Sequence, residues 1–153
     1  MLLLAGCGAS GSHANRLPLA AGHPALVSFL DTQAQPSASG NASRSQLVFL
    51  KSMDTQSRSA GLRSIVVDAA HELGLAAPSA DALVNVRYDW ALPETIEVVG
   101  DPHGALAREY RVTDVPTTLL IDKHGKVVQR WTGFVGAAPL DFAVRRITGR
   151  RVP

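Results

Sequence analysis

The stretch VTDVPTTLLIDKHGKVVQRWTG, residues 112–133, decides the fold of this chain. It contains two runs rich in apolar and β-branched residues, TTLLID and KVVQRWTG, which the short polar segment KHG separates. Two such runs on either side of a tight turn predict a β-hairpin, in which Gly125 is free to take a positive φ. Pro116 stands just before the first of these two strands.

Upstream of the hairpin, strand-like and helix-like segments alternate. Short apolar runs predict buried strands over 24–30, 61–69 and 95–100. Helices are predicted over 43–57, from Ser79, from Asp101 with Pro102 at the first helical position, and up to Gly149. Ser43 and Gln46 have the spacing of a capping box. The order predicts one α/β domain with parallel strands first and an antiparallel hairpin at the edge.

This order resembles the thioredoxin-like fold, and in particular the TlpA/ResA-like (redoxin) branch of extracytoplasmic thiol-disulfide proteins. Three passages carry the resemblance: ALVSFL (25–30), VGDPHGALAREYRVTDVPTTLLID (99–122) and KHGKVVQRWTG (123–133). The resemblance covers about residues 23–149. It implies a central mixed sheet of about five strands flanked by helices, a β-α insertion over 95–110 before the cis-proline strand, and a C-terminal ββα unit.

The resemblance also implies a peptide-binding groove. The residue that matches Pro116 is a cis-proline in the family, and the backbone before it pairs with an extended substrate segment. That role carries over to Val115, Pro116 and Thr117. A trans proline leading into an ordinary strand is the alternative, because cis X-Pro bonds are a minority.

Active family members carry Trp-Cys-x-x-Cys after the first strand, where the N-terminus of the first helix stabilises a thiolate. Counting from Phe29, this motif falls on 33–37, which places Ala34 and Ser37 at the two cysteine positions and keeps only Pro36. Gln33, Gln35 and Pro36 then become candidate groove residues. Counting back from the predicted helix instead places the site near 41–44. Neither register supplies a thiol, so this domain alone is expected to perform no thiol-disulfide exchange.

The single cysteine, Cys7, precedes the predicted domain, which excludes an internal disulfide and a cysteine zinc site. Leu4-Ala5-Gly6-Cys7 resembles a bacterial lipobox, which implies a lipid anchor on Cys7 and a membrane-anchored place in the cell envelope. Only six residues precede Cys7, so either the true start lies upstream or the tetrapeptide is chance. The predicted organisation is a partial lipoprotein signal over 1–7, a flexible linker over 8–22 and a thioredoxin-like domain over 23–150.

Composition and spacing argue against several other functions. The chain has 153 residues, of which 46% are hydrophobic, as expected for one domain, and its net charge is only +2. Few aromatics and no clustered basic face argue against nucleic-acid binding. The five histidines lack metal-ligand spacing, so no metal and no cofactor is expected. Asp31, Asp54 and Asp68 could meet in one cleft, although caps and solvated charges explain them equally well.

The sequence thus favours a binding or accessory module of the cell envelope that holds an extended peptide or protein partner. The alternative is redox chemistry with a thiol supplied by a partner, or by Cys7 if that thiol carries no lipid. A purely structural envelope protein is a third possibility.

Overall fold

The computed structural model describes residues 16–32, 38–69 and 80–149. Five strands and four helices alternate along these residues, with one short 3₁₀ turn over Arg58–Ala60. The strands are β1 (Ala25–Leu30), β2 (Arg63–Asp68), β3 (Ile96–Gly100), β4 (Thr117–Ile121) and β5 (Val127–Thr132). The helices are α1 (Ala38–Ser57), α2 (Ala80–Asp89), α3 (Ala105–Glu109) and α4 (Ala137–Thr148).

The five strands form one mixed sheet in the order β3-β2-β1-β4-β5. The first three strands are parallel to one another, and the β4–β5 hairpin joins the sheet antiparallel to β1. The predicted fold class, a mixed sheet of about five strands flanked by helices, is confirmed. In the central strand β1 all six residues are buried, as expected for a strand that helices cover on both faces.

The side chains of successive strand residues pack alternately into two separate hydrophobic clusters, one on each face of the sheet. In β1, Leu26 and Leu30 face the cluster formed with α1, α2 and α4, whereas Val27 and Phe29 face the cluster formed with α3. This alternation is the period of two that a β-strand imposes on its side chains. Burying each of these large apolar side chains contributes about 1.5–3 kcal/mol.

The segment before β1 packs against the domain. Leu17 is buried in the α3-side cluster and Leu19 is half-buried against it. Both residues lie in the segment 8–22 that the sequence assigned to a flexible linker. That assignment is wrong for its last residues, because the two leucines cover apolar surface of the sheet.

Two helices begin elsewhere than predicted. The structure describes α1 from Ala38 rather than Ser43, so Ser43 and Gln46 lie inside the helix and do not form a capping box. Helix α3 begins at Ala105 rather than Pro102. Asp101 still acts as its cap from farther away, since its carboxylate accepts hydrogen bonds from the N–H groups of Leu106 at 3.1 Å and Ala107 at 2.9 Å.

The β4–β5 turn is held by the carboxylate of Asp122. Its Oδ1 accepts hydrogen bonds from the N–H groups of Lys126 and His124, each at 2.9 Å. These bonds, with that from Lys126 foremost, hold the pKa of the Asp122 carboxyl below its usual value. Gly125 has φ +81°, the left-handed conformation that the turn requires.

The lowered pKa predicts how the hairpin responds to acid. The folded state holds the Asp122 proton less tightly than the unfolded chain, so the charged carboxylate stabilises the fold above the unfolded pKa. This contribution is lost as the pH falls through the lower folded pKa. Asp122→Asn keeps an acceptor oxygen but no charge, so it is expected to be less stable than the natural protein at neutral pH and equal to it in strong acid. Urea unfolding between about pH 2 and pH 7 checks this; a pH-independent difference would contradict it.

Candidate functional site

The predicted groove residues lie at the carboxyl edge of the parallel strands. Phe29 of β1 pairs with Thr117 of β4, so the chain before Thr117 runs past the end of β1. The ends of β2 and β3, with Asp68 and Asp101, reach the same edge. In α/β sheets, ligands bind outside the carboxyl ends of the strands.

The Val115–Pro116 peptide bond is cis, and hydrogen bonds on both sides hold the loop around it. The Pro116 carbonyl accepts from the N–H of Gly133 at 2.8 Å. The hydroxyl of Thr117 donates to the carbonyl of Asp114 at 2.6 Å. The path of the loop is therefore set by its own backbone and by the residue that follows β5.

Val115 comes directly before the cis bond. Its side chain is half-buried and packs against the α3-side cluster. Within the ranges that the structure describes, neither its N–H nor its carbonyl has a hydrogen-bond partner. Buried backbone groups are almost always paired, so an open donor and an open acceptor on one residue provide a place where an extended chain can pair.

The segment after β5 closes one side of this site, and the sequence did not reveal it. Gln46 is fully buried, and its Oε1 accepts a hydrogen bond from the N–H of Val135 at 2.8 Å. Together with the Gly133–Pro116 bond, this ties 133–135 to both the loop and α1. Phe134 is consequently held beside the loop, half-exposed, with its ring 5.5 Å from that of Phe49.

Gln46 and Phe134 are recognised as neighbours of this loop only from their contacts in the structure. The glutamine has the spacing of a capping box with Ser43, and in the structure Ser43 is instead an internal residue whose hydroxyl accepts from the N–H of Asp31 at 2.9 Å. The phenylalanine lies in the short segment Gly133-Phe134-Val135-Gly136, which has no strand or helix pattern. Neither has a local pattern that points to a groove.

The buried aspartates serve the framework rather than one cleft. Asp68 accepts a hydrogen bond from the hydroxyl of Thr32 at 2.6 Å, and it lies at the carboxyl edge. Asp54 lies at the opposite edge, where it accepts from the hydroxyl of Thr95, just before β3, at 2.6 Å. The interpretation that Asp31, Asp54 and Asp68 meet in one cleft is therefore wrong.

Tyr110 packs behind the loop, with its ring 6.3 Å from that of Phe29. Burial, and then the negative charge of Glu109, raise the pKa of the Tyr110 hydroxyl above its usual value. The neutral phenol thus favours the folded state below its unfolded pKa, and that contribution is lost only as the pH rises through the folded pKa.

Several predicted site residues lie outside the described ranges: Cys7, Gln33, Ala34, Gln35, Pro36 and Ser37. Residues 41–44 lie within α1, and residues 34–37 precede its first described residue, Ala38. In the register counted from Phe29, the positions that the resemblance matches to the two cysteines therefore come before the described part of α1.

The described ranges contain neither a metal-binding cluster nor a membrane-spanning helix. They contain no group of three or more histidine, cysteine, aspartate or glutamate side chains arranged to hold a metal ion. Nor do these ranges include a helix with the length and apolarity needed to cross a bilayer.

Comparison with solved structures settles the architecture. A crystal structure described as thiol:disulfide interchange protein DsbE from Chlorobium tepidum superposes with a TM-score of 0.66, at 21% identity over 84% of this chain and 82% of that one. The fold is thioredoxin-like. StoA from Bacillus subtilis is similar, with a TM-score of 0.62 and 16% identity over 80% of this chain and 83% of its own.

A third thioredoxin-like neighbour is the exposed lipoprotein thioredoxin of Streptococcus pneumoniae, with a TM-score of 0.59 and 19% identity over 82% of this chain and 85% of that one. No family model matches the chain, and no curated protein matches it either. At these identities the likeness establishes the thioredoxin-like fold.

Proposed function

We propose that this chain is an extracytoplasmic, lipid-anchored thioredoxin-like protein that has lost its redox centre and acts as a binding or accessory module of the cell envelope. It holds an extended peptide along Val115, Pro116 and Thr117. The observation that carries the proposal is the open N–H and carbonyl of Val115 at the carboxyl edge of the sheet, directly before the hydrogen-bonded Pro116 and Thr117.

The sulfur content supports the loss of redox chemistry. Thiol-disulfide exchange proceeds by attack of a thiolate on a disulfide and needs a second thiol to release the mixed disulfide. Both motif positions next to α1 carry other residues, Ala34 and Ser37, and Cys7 is the only cysteine. A redox role would depend on a thiol from a partner, or on Cys7 without its lipid.

The groove is suited to a strand-like ligand. An extended segment that pairs with Val115 obtains affinity from main-chain hydrogen bonds and selectivity from the pockets that receive its side chains. Phe134 provides an exposed aromatic surface on one side. Gln33, Gln35 and Pro36 are proposed to contact the segment from the other side.

The anchor rests on Leu4 to Cys7 and on the Gly/Ser-rich residues that follow. A single acyl chain binds membranes weakly, so stable anchoring requires more than one. Cys7→Ser is expected to move the protein expressed in a bacterium from the membrane fraction to the soluble fraction. Equal distribution of both forms would count against the anchor and leave the groove unaffected.

The binding proposal is tested on the full chain with Cys7→Ser. Adding S-carboxymethylated insulin B chain, an extended peptide without thiols, is expected to shift the amide resonance of Val115 and slow its hydrogen exchange. The amide of Gly61, which precedes β2 at the end of the strands opposite Val115 and donates to the carbonyl of Arg58 at 2.9 Å, is the control and is expected to stay unchanged. An unchanged Val115 amide at millimolar peptide, or equal shifts at both amides, would refute groove binding.

The loss of redox activity has its own test. With dithiothreitol as reductant, the natural chain and the Cys7→Ser variant are both expected to reduce insulin no faster than dithiothreitol alone. Turnover by the natural chain but not by the variant would assign a redox role to Cys7 and overturn the proposal.

A further inference from the structure

A second groove lies at the hairpin end of the sheet, far along β4 from Val115. It has a volume of about 630 Å³ and lies between β5 and α4, within the range of roughly 300–1,000 Å³ typical of ligand clefts. Leu120, Trp131 and Ile147 are among the apolar residues that line it. At its rim Phe142 is 68% exposed, so large apolar surface there faces water.

Strand β5 forms the open side of this groove. It is the last strand of the sheet, so within the described ranges its outer backbone groups pair with no other strand. A register shift opposite Leu120 and Ile121 leaves Val128 without a partner on β4, and Val128 lines the groove. A bulge changes the direction of a side chain. Here the side chain of Val128 adds apolar surface next to an unpaired strand edge.

The charges around the groove are unbalanced. Arg146 lines it and is exposed, and within the described ranges it forms no ion pair, unlike Arg145, whose Nε lies 2.7 Å from Asp141 Oδ2. Lys123 and Lys126 are exposed in the adjacent turn. Asp122 also lines the groove, and its carboxylate, which accepts from the N–H groups of its own turn, offsets one of these three positive charges. The rim therefore carries an excess of positive charge.

We propose that this second groove binds an extended acidic segment of a partner protein. The segment adds as a strand to the outer edge of β5, places apolar side chains between β5 and α4, and places a carboxylate on Arg146. Unpaired strand edges bind extended peptides in this way, and complementary charge selects which peptides bind.

Two other occupants fit less well. A second copy of the chain would bring the same excess of positive charge against Lys123, Lys126 and Arg146, and like charges in an interface are costly. A bilayer would leave the backbone groups of the β5 edge without hydrogen bonds in an apolar medium, which costs several kcal/mol for each group.

The test uses the full chain with Cys7→Ser and a short peptide of alternating valine and glutamate. This peptide is expected to shift the amide resonances of 128–132, and its affinity is expected to fall with added salt. A peptide with lysine in place of glutamate is expected to bind at least about tenfold more weakly. Equal affinity of the two peptides would overturn the proposal.

Two variants locate the binding. Arg146→Glu is expected to lower the affinity for the glutamate peptide about tenfold. Arg16→Glu makes the same charge change at an exposed residue outside the groove lining and is expected to change that affinity little. Phe142→Ser removes the apolar contact with the peptide and is expected to lower its affinity about fivefold or more. Circular dichroism verifies that each variant folds. Equal losses in the two charge variants, or binding of anionic vesicles without peptide binding, would refute the proposal. Neither result would bear on peptide binding at Val115, which is measured separately by the amide resonance of that residue.

Discussion

A protein in which Ala34 and Ser37 are both replaced by cysteine is expected to reduce insulin with dithiothreitol, whereas its parent with Cys7→Ser is expected not to. The pair would directly precede Ala38, the first described residue of α1. A helix N-terminus favours a thiolate and lowers the thiol pKa from about 8.5 to near 7 in Cys-x-x-Cys motifs. At neutral pH this increases the thiolate fraction roughly tenfold.

The matched control carries the same cysteine spacing inside the helix, as Asn41→Cys with Arg44→Cys. Both residues are exposed. The control loses the contact of the Arg44 guanidinium with the ring of Trp90, 5.0 Å away, so urea unfolding checks that it stays folded. We expect the first pair to react at least about tenfold faster than this control, in initial rates of turbidity. Ala34→Cys alone is expected to form a mixed disulfide without turnover, because no second thiol resolves it. Equal rates for the two pairs would show that the loop before α1 is no longer an active-site loop.

Asp101→Ala is expected to lower the free energy of unfolding by about 3–5 kcal/mol, because it leaves the buried N–H groups of Leu106 and Ala107 without their charged acceptor. Asp101 also donates its own N–H to the carbonyl of Asp68 at 3.2 Å. The side chain is 1% exposed, so water does not replace the lost bonds.

Asp101→Ala is also expected to disturb the loop that contains Val115. Val112 donates to the carbonyl of Ala107 at 2.7 Å, which links α3 to the loop that contains Val115. Urea unfolding measures the stability, and the Val115 amide resonance reports the loop. Asp101→Asn keeps one acceptor and is expected to lose about half as much. Asp89→Ala, at an exposed residue of α2, is the control and is expected to change stability by less than about 0.5 kcal/mol. A small loss in Asp101→Ala would show that α3 does not depend on this cap.

Sequence patterns predicted strands better than helix starts. The strands were recognisable because buried parallel strands are continuous apolar runs, as in 25–30. The starts of α1 and α3 were not, because Ser43 and Asp101 form hydrogen bonds with distant or later backbone groups that local spacing does not reveal.

The closing side of the groove was beyond sequence reasoning for the same reason. Gln46 and Val135 are 89 positions apart, and their hydrogen bond exists only once α1 lies against the end of β5. The burial of Leu17 was missed for another reason: only Leu19 accompanies it at a spacing of two, and one such pair in a segment rich in alanine, proline and glycine is too short a pattern to predict a core.

The loop at Pro116 is held by oxygen and nitrogen atoms alone: the carbonyls of Pro116 and Asp114, the N–H of Gly133 and the hydroxyl of Thr117. Proteins that rely on a disulfide for their shape must mature where an oxidant is present. Since Cys7 is the only cysteine of the sequence, residues 16–149 are expected to reach their native state with neither an oxidant nor a disulfide isomerase. The domain is therefore expected to have the same melting temperature with and without reductant, and to fold equally well on either side of a bacterial membrane.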